Sequence, residues 1–137
     1  MDPLAVVTAI LAAVHVLYGI PLIVAPSAAV VLERRLAYST PARLRMVCVL
    51  FLVLVCLPLI ATARDARATR GEVTLWLEGI GWLYAATCAW TIAAPGPWQR
   101  FAVSFWDAVD EPAIRRAIGL LTLAFGGFLG WIAVSGP

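Results

Sequence analysis

The chain has 137 residues, 63% of them hydrophobic and 13% charged, with a formal net charge of +2. Soluble domains are about 45–50% apolar and about 25% charged, so this composition excludes an ordinary water-soluble domain, and the small net charge makes no case for nucleic acid. All ten basic residues are Arg, which excludes lysine chemistry such as a Schiff base and fits the GC-rich bias of many bacterial genomes.

The apolar residues fall into four blocks, at 4–25, 44–63, 73–94 and 114–135. Each is long enough to cross a hydrocarbon core about 30 Å thick, which takes roughly 20 helical residues. The blocks are continuously apolar rather than alternating, so they predict helices and not barrel strands. The expectation is an all-α integral membrane four-helix bundle, one domain over residues 1–137.

The first block follows Met1-Asp2-Pro3, without a basic n-region, and is longer than a signal-peptide core; it reads as a retained span. It carries His15, the only imidazole, on a face with Thr8, Ala12 and Gly19, and Pro21 inside it predicts a kink. The following loop predicts a short helix with Ser27 as N-cap and Val30, Val31 and Leu36 turned inward. The second block opens on Pro41-Ala42-Arg43-Leu44-Arg45, contains Pro58, and leads to a loop bearing Arg64, Arg67 and Arg70.

The third block holds Glu78 beside a ridge of Gly81, Ala85, Ala89 and Ala93, small residues at a spacing that lets another helix approach closely. After it, Trp98, Phe101, Ala102, Phe105, Trp106 and Val109 recur at steps of three and four, the pattern of an interfacial amphipathic helix. The fourth block opens on Pro112-Ala113-Ile114-Arg115-Arg116 and contains Gly126 and Gly130, a GxxxG pair. Trp98, Phe101, Phe105, Trp106, Arg45 and Arg116 are the expected interfacial anchors.

Seven Arg flank the two longer loops and three lie on the other side. The positive-inside rule then places both termini outside, in the periplasm of a bacterial inner membrane. The halves 4–63 and 73–135 also resemble each other: Leu17-Tyr18-Gly19 matches Leu83-Tyr84-Ala85, and the two Pro-Ala openings match. Each half reads as span, Pro stop, interfacial segment, span, which is a parallel repeat. Leu77-Glu78-Gly79, Pro95, Trp98 and Ile114-Arg115-Arg116 up to Gly119 resemble the small two-span inner-membrane proteins of unknown function encoded beside the HflK/HflC pair. The resemblance implies no activity.

Ionisable groups inside a bilayer are functional candidates by default, and here they are His15 and Glu78. His15 suits a packing histidine or, alternatively, one axial ligand to a chlorophyll-type or haem pigment. Glu78 suits snorkelling to the outer interface or pairing with Arg64, Arg67 or Arg70, or else a conduction path. Cys48, Cys56 and Cys88 form no CxxC pair, so no metal or redox motif is read from them. No nucleophile–base–acid set assembles, so neither an enzyme, a metal site nor a resident cofactor is predicted. The expected function is a non-catalytic accessory subunit of a larger membrane complex, held by lipid and by other membrane subunits through its small-residue faces. The alternatives are a pigment-binding subunit using His15 and a small oligomeric transporter or channel using Glu78.

Overall fold

The computed structural model describes residues 2–135, which form six helices and no strand. They are α1 (Pro3–Val24), α2 (Pro26–Leu36), α3 (Pro41–Arg70), α4 (Glu72–Ala93), α5 (Pro95–Ala108) and α6 (Pro112–Ser135). Five of the six begin at a proline. Proline fits the first helical turn, where its missing N–H has no intrahelical partner anyway, and it disfavours helix in the residue before it. The exception, α4, begins after Gly71, whose φ of 63° makes the tight turn out of α3, a conformation that suits a residue without a Cβ.

Three helices, α1, α3 and α6, are long and apolar enough to cross a membrane. The fourth expected span, α4, has the 22 residues of α1 but is not among them. Glu72, Glu78, Thr74, Gly79 and Gly81 dilute its hydropathy.

Two expected boundaries move. The segment bearing Arg64, Arg67 and Arg70 is not a loop: α3 runs 30 residues, through Arg70. Alanine and arginine are strong helix formers, and nothing before Gly71 stops the helix. Ser27 is not an N-cap, because Pro26 starts α2 and Ala25 occupies the cap without a side-chain hydrogen bond. Within α2 only Val30 of the three expected inward residues is buried; Val31 and Leu36 are exposed. The two prolines inside spans differ in effect. Pro58 lacks an N–H and crowds the carbonyl four residues back. Just before it α3 widens by one residue, over Leu52–Cys56, with the Leu57 N–H reaching the Leu52 carbonyl, the form of a single-turn π-bulge. Pro21 is carried within α1.

The helices form two tight antiparallel pairs. α1 packs along α6, and α3 along α4; α1 joins the pairs through α3, whereas α4 and α6 scarcely touch. The α1–α6 pair is built on glycine. A Cβ on Gly19 would stand 2.8 Å from the Gly119 carbonyl oxygen, and one on Gly119 2.9 Å from the Gly19 oxygen. Further along, a Cβ on Gly126 would stand 3.0 Å from the Cβ of His15. The face predicted from Thr8, Ala12, His15 and Gly19 is the one α1 presents there. Leu4, Leu11, Leu59, Ala63, Leu77, Leu129 and Ile132 make the main core, to which α1, α3, α4 and α6 all contribute.

The α3–α4 pair uses only half of the expected ridge. Gly81 and Ala85 are buried, with a Gly81 Cβ position 2.8 Å from Ile60 Cγ1, but Ala89 and Ala93 are not. A step of four residues overshoots a turn by about 40°, so four such positions drift off one face. Cys88 and Thr91 continue the buried line instead.

Backbone-to-backbone contacts cannot yield by side-chain repacking. Gly119→Ala is therefore expected to lower unfolding stability in detergent by about 1–3 kcal/mol, while Gly127→Ala, with nothing within 4 Å of its Cβ position, loses none. Equal midpoints for the wild type and Gly119→Ala in a thermal melt would remove the close approach.

Candidate functional site

His15 is half-buried between the two helix pairs. Its Nδ1 lies 2.8 Å from the Leu11 carbonyl oxygen and its Nε2 lies 2.7 Å from the Tyr84 hydroxyl. A carbonyl can only accept, so Nδ1 carries the proton; in the neutral ring Nε2 then accepts from Tyr84. Phe125 stands edge-on at 5.0 Å and Tyr84 at 5.9 Å between ring centroids. Tyr84 in turn meets Phe51 of α3 at 5.7 Å. The imidazole thus ties α1 to α4 with both ring nitrogens engaged.

This arrangement does not fit an axial ligand. Coordination needs the Nε2 lone pair, which the Tyr84 hydroxyl occupies, and the Phe125 and Tyr84 rings stand against the imidazole where a macrocycle would have to lie. His15 acts here as a polar link across the core.

Glu78 is buried near the Gly71 end, and α3 reaches it because it continues past residue 63. Arg64 Nε donates to Glu78 Oε1 at 2.7 Å, Arg67 pairs with Oε2, and the Trp82 indole donates to Oε1 at 3.3 Å. The Arg64 guanidinium also lies 5.4 Å from the Trp82 ring centroid, within reach of the ring's negative face. Arg70 pairs with Asp2 at 2.8 Å, and Asp2 caps α1 by accepting from the Leu4 and Ala5 N–H groups, donors that a helix start leaves without partners. Each Arg at this end has a carboxylate partner.

The opposite end is organised by arginines on carbonyls. Buried Arg115 donates to the Val109 carbonyl at 2.7 Å and the Trp106 carbonyl at 3.0 Å, closing the C-terminus of α5, and meets Asp110 at 3.2 Å. A cation at a helix C-terminus complements the negative end of the helix dipole. Arg45 does the same for α4 through the Ile92 carbonyl at 3.1 Å. Arg34 of α2 bridges to Asp107 of α5 at 2.6 Å. Arg116 is exposed.

Among the expected anchors, Trp106 belongs elsewhere. It is 4% exposed and packs on Leu22 and Val30. Ala102 is buried one turn before it, and this pair is the protein-facing stripe of α5. Trp98, Phe101 and Phe105 stack along the outer side, at 5.5 and 6.4 Å between successive centroids. The amphipathic period was visible in the sequence; which aromatics faced the protein depended on where α2 lay.

Two groupings have no counterpart in the sequence pattern. Glu33 of α2 is half-buried and accepts from the Tyr18 hydroxyl at 3.0 Å, with Tyr38 and Trp106 near its carboxyl. Burial pushes the Glu33 carboxyl above the usual range, partly offset by these donors and by nearby Arg34, since desolvation disfavours the charged form and donors favour it. The three free cysteines also converge, Cys48 and Cys56 of α3 meeting Cys88 of α4. Among the described residues no group of three or more His, Cys, Asp or Glu side chains has the arrangement of a metal site.

Tyr84→Phe leaves the His15 Nε2 without its donor. The expected loss is about 1–3 kcal/mol of stability, the cost of an unmet buried acceptor, whereas Tyr18→Phe leaves the His15 link intact. A 15N-labelled imidazole spectrum should show the Nδ1–H tautomer in the wild type; a dominant Nε2–H form would contradict the assigned hydrogen bonds.

Comparison with protein-family models, curated proteins and solved structures finds no match for this chain.

Proposed function

We propose that the chain is a four-span protein of a bacterial inner membrane, with both termini outside, and that it serves as a non-catalytic accessory subunit receiving a helix of a larger membrane complex on its open side. The observation that carries this reading is the gap between α4 and α6. It is a groove of about 510 Å³ lined by Trp76, Leu77, Ile80, Phe125, Phe128 and Trp131 among others, without an ionisable side chain. Trp76 is 74% and Trp131 63% exposed at its edges.

The other three sides of the bundle are closed by direct packing. The small residues that let helices approach, Gly19, Gly81, Gly119 and Gly126, are consumed by those closures. Helix association inside a bilayer depends on shape and contact, since lipid tails are as apolar as leucine. A groove at the bundle's open corner, floored by Phe125 and walled by tryptophans, offers a partner helix the contact that the chain itself does not make.

The span assignment of α4 rests on its length and on the pairing of Glu78. A carboxylate held by two arginines at the helix end lowers the cost of placing that helix in a membrane. The orientation is supported by the arginine count, seven on the side of α2 and α5 against three at the Gly71 end, since the positive-inside rule weighs basic residues rather than net charge. The parallel-repeat reading draws support from the backbone at the two proline stops, where Ala25 has φ −141° and ψ 67° and Ala94 has φ −133° and ψ 65°. The geometry favours this function over the alternatives, because His15 has no free ligand position and Glu78 is locked by its arginines.

Purification in mild detergent from a host that encodes the chain should yield a stoichiometric partner subunit. Phe128→Ala together with Trp131→Ala should release that partner while leaving the melting temperature of the isolated chain within a few degrees of wild type. A monodisperse lone chain under the mildest extraction, with no crosslink from a photoreactive residue at 131, would sink the proposal. Reporter fusions at either terminus are expected to read periplasmic; two cytoplasmic readings would reverse the topology.

A further inference from the structure

A second cavity, of about 370 Å³, opens where α1, α2 and α3 meet at the Arg-rich end. Its walls are apolar, with Leu17, Leu22, Leu32 and Val47 among them, and its polar groups are Glu33, Tyr18 and Tyr38. The carboxylates at the other sheltered positions have cations: Glu78 has Arg64 and Arg67, and Asp2 has Arg70. Glu33 forms no salt bridge among the described residues, although it is half-buried. Its neighbour Arg34, though near enough to act on it through space, gives its hydrogen bonds to Asp107 and the Val103 carbonyl. A half-buried carboxylate held only by neutral donors is incomplete, since buried charges are ordinarily paired.

The geometry points to a binding site for a membrane lipid with a primary ammonium headgroup, its ammonium on Glu33 and its chains along Leu17 and Val47. This rests on the membrane placement proposed above. Three features select that occupant. The cavity combines one anionic group with aromatic hydroxyls and long apolar walls, which matches a cationic head on an apolar tail. α2 lies at the end of the bundle where the helices stop, the depth of headgroups under that placement. Arg43 reaches the Arg35 carbonyl at 3.1 Å across the turn that carries Tyr38, so its guanidinium stands on that turn to meet the lipid phosphate. Burial raises the Glu33 carboxyl, and a bound ammonium would reverse that shift by favouring the charged form.

The test uses the full chain in nanodiscs of phosphatidylglycerol containing a minor fraction of phosphatidylethanolamine, with the lipids that stay bound after detergent extraction counted by native mass spectrometry. Wild type should retain phosphatidylethanolamine several-fold over its share of the bilayer, and phosphatidylcholine, whose head has no N–H, less. Glu33→Gln should abolish the preference, and the exposed Glu111→Gln should leave it intact. Should Glu33→Gln fold poorly, as judged by its melting temperature, Tyr38→Phe is the second variant, expected to weaken retention severalfold. Retention in proportion to bilayer composition, or an undiminished preference in a folded Glu33→Gln, overturns the site. Binding of dodecylammonium in pure phosphatidylglycerol nanodiscs without any phosphatidylethanolamine preference overturns the lipid assignment in favour of a free amphipathic cation. Failure of the chain to float with vesicles would instead overturn the membrane placement on which the site depends.

Discussion

The close approach of α1 and α6 is the constraint from which the rest of the structure follows. These are the first and last helices of the chain, and they meet through the backbones of Gly19 and Gly119 rather than through side chains. At that separation the remaining face of α1 is fixed. Thr8, Leu11 and Ala12 are buried and His15 is held against Gly126, so the imidazole points to α4 and reaches Tyr84. The same contact sets where α1 ends, and hence where Leu22 meets Val30 and Trp106 to seat α2 against α5. The polar links are consequences of glycine packing: each occupies a place the helix pair has already defined.

The two ends of the bundle solve their electrostatics differently. At the Gly71 end the cations answer carboxylates, so Glu78 sits buried without an uncompensated charge. At the other end they answer helix C-termini: Arg45 and Arg115 donate to carbonyls at the ends of α4 and α5, where the last turn of a helix leaves its carbonyls without intrahelical partners. These contacts lock the stops at Ala94 and Val109 and hold α2 and α5 across the ends of the longer helices. Arg34 then joins those two short helices to each other through Asp107. Glu33, one residue away, is left with neutral donors because the adjacent cation is engaged elsewhere.

Helix positions were legible in the sequence because proline and glycine mark them by local chemistry. Pro26, Pro41, Pro95 and Pro112 set helix starts, and apolar run length did the rest. The end of α3 was not, because Arg64, Arg67 and Arg70 look like a loop on hydropathy alone. The Ala-Thr-Ala-Arg-Asp-Ala-Arg stretch carried a helix-propensity signal that could have found it, and with it the reach of Arg64 to Glu78. His15 and Glu78 stood out by charge. Their partners depended on tertiary placement: Tyr84 is 69 positions from His15, and no periodicity joins them. Glu33 was hidden for the opposite reason. It lies in a short polar helix, where a carboxylate reads as solvated, and only the folding of Tyr18 and Trp106 beside it shelters it in part.

The asymmetry between the halves is what gives the open groove its meaning. If α1 corresponds to α4 and α3 to α6, the tight pair α1–α6 corresponds to the tight pair α4–α3, and the contact of α1 with α3 predicts an equivalent one between α4 and α6. That contact is missing. The difference lies in particular side chains. α1 meets α3 through Leu4, Leu11 and Leu59, which interlock in the main core, whereas α4 and α6 face each other with Trp76, Phe128 and Trp131, too bulky to interdigitate at that spacing and left exposed. Tyr18 and Tyr84, which the proposed repeat aligns, likewise differ, one on Glu33 and the other on His15. Under the proposed repeat, a hairpin pair that served only to fold would have no reason to hold one of two equivalent seams apart with tryptophan. A seam that receives another helix, as proposed above, would, and the open groove between α4 and α6 is where that proposal and the proposed repeat meet.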